Sequence, residues 1–358
     1  MLGLAVTLLG LTQLRSSSQA TSKPSNEPKV PTDSQPRGGT SSSAKSDDVV
    51  FLFVKGIGIL RLKGGEVSPV LQTQAAIRDM QIDSEGALWA SLEGVGVIRH
   101  SDGKTVNLNP ESFARLAIRT PTDVWTINDS RGSVVHYDGA QWKTVRTRNT
   151  LSGAFEDNHL LDIVTDGHVV WVSGWNGLWR VSANGRWKSL EPPAVVSTSE
   201  TAEEGDLPPP PPFPLSLRVS RPGLIACYLS GCFLSAESGW RSSHWPVGKA
   251  QLQSAGSANL VAGIGADGRT VVVTHLDGSS EESKSEPFPA TGINDITIDT
   301  KGRVWVASGS ALTLLDASAR ILQRWAIGSK AIAAADGQPV EIERVVVAGA
   351  GPMQLPTE

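Results

Sequence analysis

The sequence predicts an all-β fold: a seven-bladed β-propeller of four-stranded antiparallel blades, closed by pairing of the N- and C-terminal segments. Three observations carry this. A pattern of about 45 residues recurs between residue 48 and about 350, the length typical of a four-stranded blade. Within each copy, short alternating apolar stretches are separated by Gly or Asx-Gly turns, which reads as consecutive hairpins. No long window free of Gly and Pro carries a helical period.

The blades follow in chain order. Asp48–Pro69 (DVVFLFVKGIGILRLKGGEVSP) supplies a second, third and fourth strand, with Phe51 where other copies hold a tryptophan. Three copies come next: IRDMQIDSEGALWASLEGVGVIRHSDG, RLAIRTPTDVWTINDSRGSVVHYDGAQW and LLDIVTDGHVVWVSGWNGLWRVSANGRW, with Trp89, Trp125 and Trp171 aligned. The last clear copy, INDITIDTKGRVWVASGSALTLLDASA, holds Trp305. The aligned tryptophans are spaced by 36, 46 and 134 residues, and the last gap divides into three steps of about 45. Two degraded copies are therefore required between Trp171 and Trp305. LSLRVSRPGLIACYLSGCFLSAESGW places Ile225 at the tryptophan position, and QLQSAGSANLVAGIGADGRTVVVTHLDG keeps the closing Asp277-Gly278. Val340–Gly349 (VEIERVVVAG) matches a first strand without successors. Joined to Asp48–Pro69 it completes the ring, which leaves only short, protected edges. The aligned tryptophans fall on second strands, sandwiched between blades, where each buries about 150–250 Å². Trp142, Trp187 and Trp325 fall in or near fourth strands and close the outer parts of blades.

The remaining segments divide as follows. Residues 1–20 read as a signal peptide or a short apolar N-terminus: 1–14 lack a charged side chain, and Ser18-Gln19-Ala20 offers small residues for cleavage. The stretch is too short for a span of about 20 residues, although an uncleaved leader would tether the chain to a membrane. Residues 21–47 read as a disordered Ser/Pro-rich tether, 191–214 as an acidic Pro-rich insert loop with the run Pro208–Pro212, and 351–358 as a C-terminal tail. Export to the periplasm or the extracellular space is the expectation, with the chain a monomer. A net charge of −4 gives no overall basic field for nucleic acid. Two cysteines rule out a disulfide-dense scaffold and a cysteine-ligated zinc ribbon.

The string I-x-D-I-x-x-D-x-x-G-x-V-W-V-A-S, best in Ile293–Ser308 and Ile77–Ser91 and with one deletion in Leu160–Ser173, resembles the two-component-regulator propeller repeats. That resemblance covers about residues 48–350 and implies an exported sensor-type propeller, standing alone or serving a hybrid histidine kinase. No kinase segment follows in this chain, so a kinase output from it is not expected.

The chemistry-bearing residues are sparse. His100, His136 and His275 share one repeat position on three different blades, too far apart to converge on one metal at about 2.0–2.1 Å. Asp83, Asp166 and Asp299 belong to turns, with one carboxylate per blade against the six to eight oxygens that calcium takes. Asp79, Asp162 and Asp295 are register-matched on first strands and are read as structural, bonded to neighbouring loops. Variation between blades at the matched or adjacent positions (Arg78, Arg115, Asn294, Glu343, Arg344), and in the loops joining second to third strands (Glu93, Asn128, Asp129, Arg131, Trp175, Asn176), marks a ligand face. The ligand-binding candidates are Trp175, Asn176, Arg78, Arg115, His159, Asn294, Asp129 and Glu93, with exposed Trp175 as the stacking residue. No catalytic residue, metal ligand or cofactor is assigned. The reading is a non-enzymatic propeller that binds a small ligand or a partner protein in a sensor-like or scaffold role. The alternative is an enzyme of the virginiamycin B lyase or gluconolactonase type, with a metal-assisted site at the channel mouth. There only His159, with Asp162, Asp79, Asp295 and Glu343, could serve. Cys227 and Cys232 flank a four-residue turn, Tyr228–Gly231, and are candidates for a disulfide at a Cα separation of about 4.5–5.5 Å.

Overall fold

The computed structural model describes residues 48–128, 132–146, 159–175, 177–182, 185–193, 214–220, 223–228, 231–236, 239–243, 253–254, 260–276, 282–289, 292–327 and 340–348. The leader and tether at 1–47, most of the 191–214 insert, and the 351–358 tail lie outside the described residues, as do Asp129, Arg131, Asn176 and His244.

Among the described residues the chain forms seven four-stranded antiparallel sheets. Blade 1 combines β1 (Val49–Val54), β2 (Gly58–Lys63) and β3 (Glu66–Gln72) with the last strand, β28 (Ile342–Val347), in the order β28-β1-β2-β3. Blade 2 holds β4 (Ile77–Ile82), β5 (Leu88–Leu92), β6 (Gly96–Ser101) and β7 (Lys104–Asn109). Blade 3 holds β8 (Arg115–Thr120), β9 (Asp123–Asn128), β10 (Ser133–Tyr137) and β11 (Trp142–Arg146). Blade 4 holds β12 (Leu160–Thr165), β13 (Val170–Gly174), β14 (Gly177–Val181) and β15 (Trp187–Leu190). Blade 5 holds β16 (Ser216–Ser220), β17 (Gly223–Tyr228), β18 (Gly231–Ala236) and β19 (Gly239–Ser243). Blade 6 holds β20 (Gln253–Ser254), β21 (Leu260–Ile264), β22 (Val271–His275) and β23 (Glu282–Lys284). Blade 7 holds β24 (Asp295–Ile298), β25 (Val304–Ser308), β26 (Ala311–Leu315) and β27 (Ile321–Ala326). Each first strand contacts the first strands of both neighbouring blades, so the seven sheets close a ring around a central channel.

Closure is made by β28. Phe51 pairs with Val346, Leu52 with Val345 and Phe53 with Arg344. Lys55 N–H donates to Glu341 O at 2.9 Å, and Ala348 N–H donates to Val49 O at 2.8 Å, which extends the ladder at both ends.

Strand composition follows position. The second strands β5 (LWASL) and β25 (VWVAS) are buried throughout, since blades cover both their faces, and their sequences are close to continuous apolar runs. The outer strands β7 and β27 are largely exposed and accordingly polar or alternating. The core consists of clusters between adjacent blades. Trp89, 0% exposed, packs with Phe113, Leu116 and Val124 of blade 3. Trp305, 1% exposed, packs with Val50, Leu52 and Val345 of blade 1. Ile225, which replaces the tryptophan in blade 5, packs on Val261 of blade 6.

The Asp-x-x-Gly turns are tied to these tryptophans. Asp83 Oδ1 accepts the N–H groups of Glu85 and Ala87, while its Oδ2 accepts Trp89 Nε1–H at 2.9 Å and faces Arg99. Asp299 repeats the arrangement with Lys301, Arg303 and Trp305. One carboxylate thus closes the turn and satisfies the buried indole N–H.

The hairpin between β17 and β18 differs from the four-residue turn expected. Tyr228 pairs with Gly231, so the loop shortens to residues 229–230. Cys227 stands directly opposite Cys232 and the two form a disulfide, with a Cα separation of 3.9 Å, shorter than the range expected from sequence. The pair lies next to the closing pair of a two-residue hairpin. That is a non-hydrogen-bonded position, where opposed Cα atoms are nearest.

Candidate functional site

The first strands carry one position whose partner is the residue two after the tryptophan position of the second strand. In blades 2, 4 and 7 it holds Asp79, Asp162 and Asp295, opposite Ser91, Ser173 and Ala307. In blades 3 and 1 it holds Arg115 and Arg344, opposite Ile127 and Phe53. Blade 5 has Ser216 there, with Arg218 two residues on.

Each aspartate reaches across to the next blade. Asp79 Oδ2 accepts Leu116 N–H at 2.7 Å, Asp162 Oδ2 accepts Leu217 N–H at 2.8 Å, and Asp295 Oδ2 accepts Val345 N–H at 2.9 Å. The acceptor sites are therefore filled by innermost strands rather than by the loops anticipated from sequence. Guanidinium groups stand between the carboxylates. Arg115 Nε lies 3.6 Å from Asp162 Oδ1, and Arg218 Nη1 lies 3.2 Å from Asp162 Oδ2. Arg344 Nη1 lies 3.6 Å from Asp295 Oδ1. Arg115 and Arg344 both act on Asp79, and Arg218 acts on Asp295. The result is an alternating circuit around the channel: Asp79, Arg115, Asp162, Arg218, Asp295, Arg344, and back to Asp79.

Burial dominates the titration of these acids. It raises Asp79 above the usual carboxylate range against the opposing pull of Arg115, the Leu116 N–H and Arg344. It pushes Asp295 up to about 6, against Arg344 and the Val345 N–H. Asp295 is 3% exposed and its Oδ1 has no hydrogen-bond partner among the described residues.

The turns at the start of first strands and between second and third strands lie on one face. Here the structure places the described candidates Arg78, Glu93, Arg115, His159, Trp175 and Asn294. Arg78 Nη2 pairs with Glu93 Oε1 at 3.1 Å. Asn294 Nδ2 donates to Ile342 O at 2.9 Å, which fixes it against the closing strand. Trp175 N–H donates to His159 O at 3.0 Å, and the His159 and Trp175 rings lie 4.4 Å apart at 58°. Trp175 is 47% exposed, unlike the buried tryptophans of the repeat. Lys55 lies 3.7 Å from Glu341 and 3.6 Å from Glu343 on the same face. Asp129 and Asn176 lie outside the described residues.

His100 and His136 have structural partners. His100 Nδ1 meets Thr105 Oγ1 at 2.9 Å, and burial, with Arg61 nearby, lowers its pKa. His136 Nε2 meets Asp123 Oδ1 at 3.0 Å while its ring stacks on Trp125 at 4.3 Å. No group of three or more His, Cys, Asp or Glu among the described residues is placed to hold a metal ion.

Sequence reasoning reached Arg115 and Arg344 as variants at or near the aspartate position but missed Arg218 and the alternation. Arg218 sits two residues off register. Counting each first strand from its partner opposite the tryptophan strand was the signal that relates Arg115 and Arg344 to the aspartates.

The fold and this face define a seven-bladed β-propeller whose channel is lined by an alternating charge circuit. No family model matches the chain, and no curated protein matches it. Solved structures match in fold. Apo AztD from Citrobacter koseri aligns over 85% of this chain and 99% of its own, with TM-score 0.55 and 12% identity. A streptogramin B lyase aligns over 79% and 89%, with TM-score 0.53 and 10% identity. A catalytically inactive variant of virginiamycin B lyase from Staphylococcus aureus with quinupristin aligns over 72% and 86%, with TM-score 0.50 and 14% identity. At these identities the likeness is one of fold.

Proposed function

We propose that this chain is an exported, non-enzymatic propeller that binds a small ligand or a partner protein on the face holding Arg78, Glu93, Arg115, His159, Trp175 and Asn294, with Asn176 and Asp129 in the same loops. The observation that carries the reading is Trp175: a half-exposed indole beside the His159 ring, at the channel mouth of a scaffold that buries its repeated tryptophans. An exposed aromatic on a rigid scaffold offers stacking area at low entropic cost. The role is sensor-like or that of a scaffold, in keeping with the two-component-regulator repeats that the sequence resembles. A thermal-shift screen of small molecules and metals on the intact chain and on Trp175→Ala tests it. Stabilising compounds should lose their effect in the variant; hits that Trp175→Ala leaves unchanged would move the site elsewhere.

Export has its own test in the disulfide. A cytosolic protein would keep Cys227 and Cys232 reduced. Protein purified from its native compartment without reductant and then denatured should show no free thiol. Two free thiols would remove both the bridge and the export assignment.

The second reading is a propeller enzyme of the virginiamycin B lyase type, supported by the likeness in fold and by His159 at the mouth. Incubation of the chain with quinupristin and divalent metal, followed by chromatography, decides it. Turnover that His159→Ala abolishes would replace the binding reading.

A further inference from the structure

The three arginines of the circuit are unequally engaged. Arg218 Nη1 donates to Leu217 O at 2.6 Å and to Asp162 Oδ2 at 3.2 Å. Arg344 stands at ion-pair distance from Asp295 and donates no hydrogen bond among the described residues. Arg115 makes two long bonds from Nη1, at 3.4 Å to Ala114 O and 3.5 Å to Arg78 O, and its Nη2 makes none. Each guanidinium carries five N–H donors in a fixed planar fork. Two of the carboxylates that balance them are occupied from behind: Asp79 accepts the Met80 and Leu116 N–H groups, and Asp162 accepts the Ile163 and Leu217 N–H groups, while Asp295 accepts the Val345 N–H at Oδ2 and turns Oδ1 to the ion pair with Arg344. The circuit therefore neutralises Arg115 and Arg344 without filling their donors. Their side chains are 40% and 29% exposed.

The placement concentrates these donors. Arg344, Asp79 and Arg115 lie on β28, β4 and β8, three consecutive innermost strands. Among the described residues, Arg78 and Lys55 on this face have anionic partners of their own: Arg78 with Glu93, and Lys55 with Glu341 and Glu343. With its aspartates ionised the circuit is balanced in charge, three Asp against three Arg. That favours a planar head with one negative charge over a dianionic phosphate, and guanidinium forks match a carboxylate in two-point geometry.

We propose that Arg115 and Arg344 form an anion clamp at the channel mouth, so that the ligand of this face carries a carboxylate. This rests on the binding role proposed above for its location and names the chemistry of the ligand. The probe is benzoate, titrated into the full chain at ionic strength held constant with chloride and followed by the ¹⁵N resonances of the arginine Nε groups. Saturable shifts are expected, and Arg344→Gln and Arg115→Gln should each weaken binding about tenfold, the scale of a lost charge-assisted hydrogen bond. Arg344→Lys keeps the charge and removes the fork, and should weaken binding while leaving the fold intact. Arg241→Gln, at an exposed arginine of blade 5, should change nothing. A non-saturable response, equal weakening by Arg241→Gln, full affinity in Arg344→Lys, or tighter binding of inorganic phosphate would each overturn the clamp. If benzoate fails while hits dependent on Trp175 persist, the face keeps its binding role and the carboxylate is lost. If benzoate binds through Arg344 and no hit depends on Trp175, the clamp stands and the stacking role falls.

Discussion

At the scale of single residues, a buried group is governed by whether the next blade supplies its partner. Ser91 Oγ accepts Phe113 N–H at 2.7 Å and donates to Phe113 O at 2.9 Å, both in blade 3. Ser173 occupies the same position in blade 4, but the residue standing where Phe113 stands is Pro214, which has no N–H. Ser173 Oγ is left buried without a hydrogen-bond partner among the described residues. Ser91→Ala should therefore cost about 1–3 kcal/mol by orphaning a buried donor, whereas Ser173→Ala should be neutral or stabilising. Urea midpoints of the two variants check this, and equal losses would contradict it. Asp295 supplies a second residue-scale prediction. Its folded pKa of about 6 lies above the value of about 3.9 for an unfolded Asp. Between those values the folded protein holds a proton that the unfolded chain has released. Stability must then fall as pH rises from about 4 to about 6, by about 3 kcal/mol, and level off above. Asp79, also raised by burial, adds a slope of the same sign. Asp295→Asn keeps an acceptor for Val345 N–H and removes the titration. Denaturation midpoints at four pH values should show a shallower decline in the variant; an unchanged decline would assign the proton elsewhere.

At the scale of strands and turns, glycines at the start of third strands differ in what they tolerate. Gly96 has φ of +104°, and a Cβ there would lie 1.9 Å from Asn109 O of the neighbouring strand β7. Gly177, its counterpart in blade 4, has φ of +133°, but a Cβ there would meet no atom within 4 Å among the described residues. Gly177→Ala should cost only the dihedral strain, on the order of 1–3 kcal/mol. Gly96→Ala should cost more, because a backbone carbonyl must move as well; thermal melts that rank the two in the opposite order would refute the clash. Most of this level was legible in sequence. Alternation and Gly turns place the strands, and the tryptophan register aligns the blades that keep it. What stayed hidden depends on pairs that no local pattern contains. The turn at Cys227 and Cys232 read as four residues because Tyr228 opposite Gly231 resembles loop, while the ladder continues through both. The aspartates read as structural from their register. Their hydrogen-bond partners in other blades are backbone N–H groups and Arg218, 37 to 56 residues away for Asp79 and Asp162. Arg218 could not be related to them because blade 5 has lost both the tryptophan and the aspartate that set its register.

At the scale of the whole molecule, the ring depends on one strand that arrives last. β28 places Ile342, Val345 and Val347 in the cluster between blades 7 and 1, all essentially without exposure. It also carries Arg344 of the charge circuit, receives the Asn294 amide, and supplies Val345 N–H to Asp295. Three fully buried aliphatic side chains contribute roughly 1.5–3 kcal/mol each. Their sum rivals the entire net stability of a typical domain, about 5–15 kcal/mol. Ending the chain at residue 339 removes all of this and leaves β1 with an unpaired inner edge, an invitation to edge-to-edge association. The truncated protein should lose its cooperative melt or aggregate. A peptide of residues 340–349 added in trans should restore a measurable part of the transition, because the groove between β1 and the flanking first strands is formed by the other blades. Substituting Arg344→Gln within that peptide should lower its affinity less than replacing Val345 by Asp, since the first change removes a half-exposed ion pair and the second buries a carboxylate in the core between blades. A truncated chain that melts within a few degrees of the intact one, with no response to the peptide, would mean that the ring is held by packing among the remaining blades and that the terminal strand does not close it.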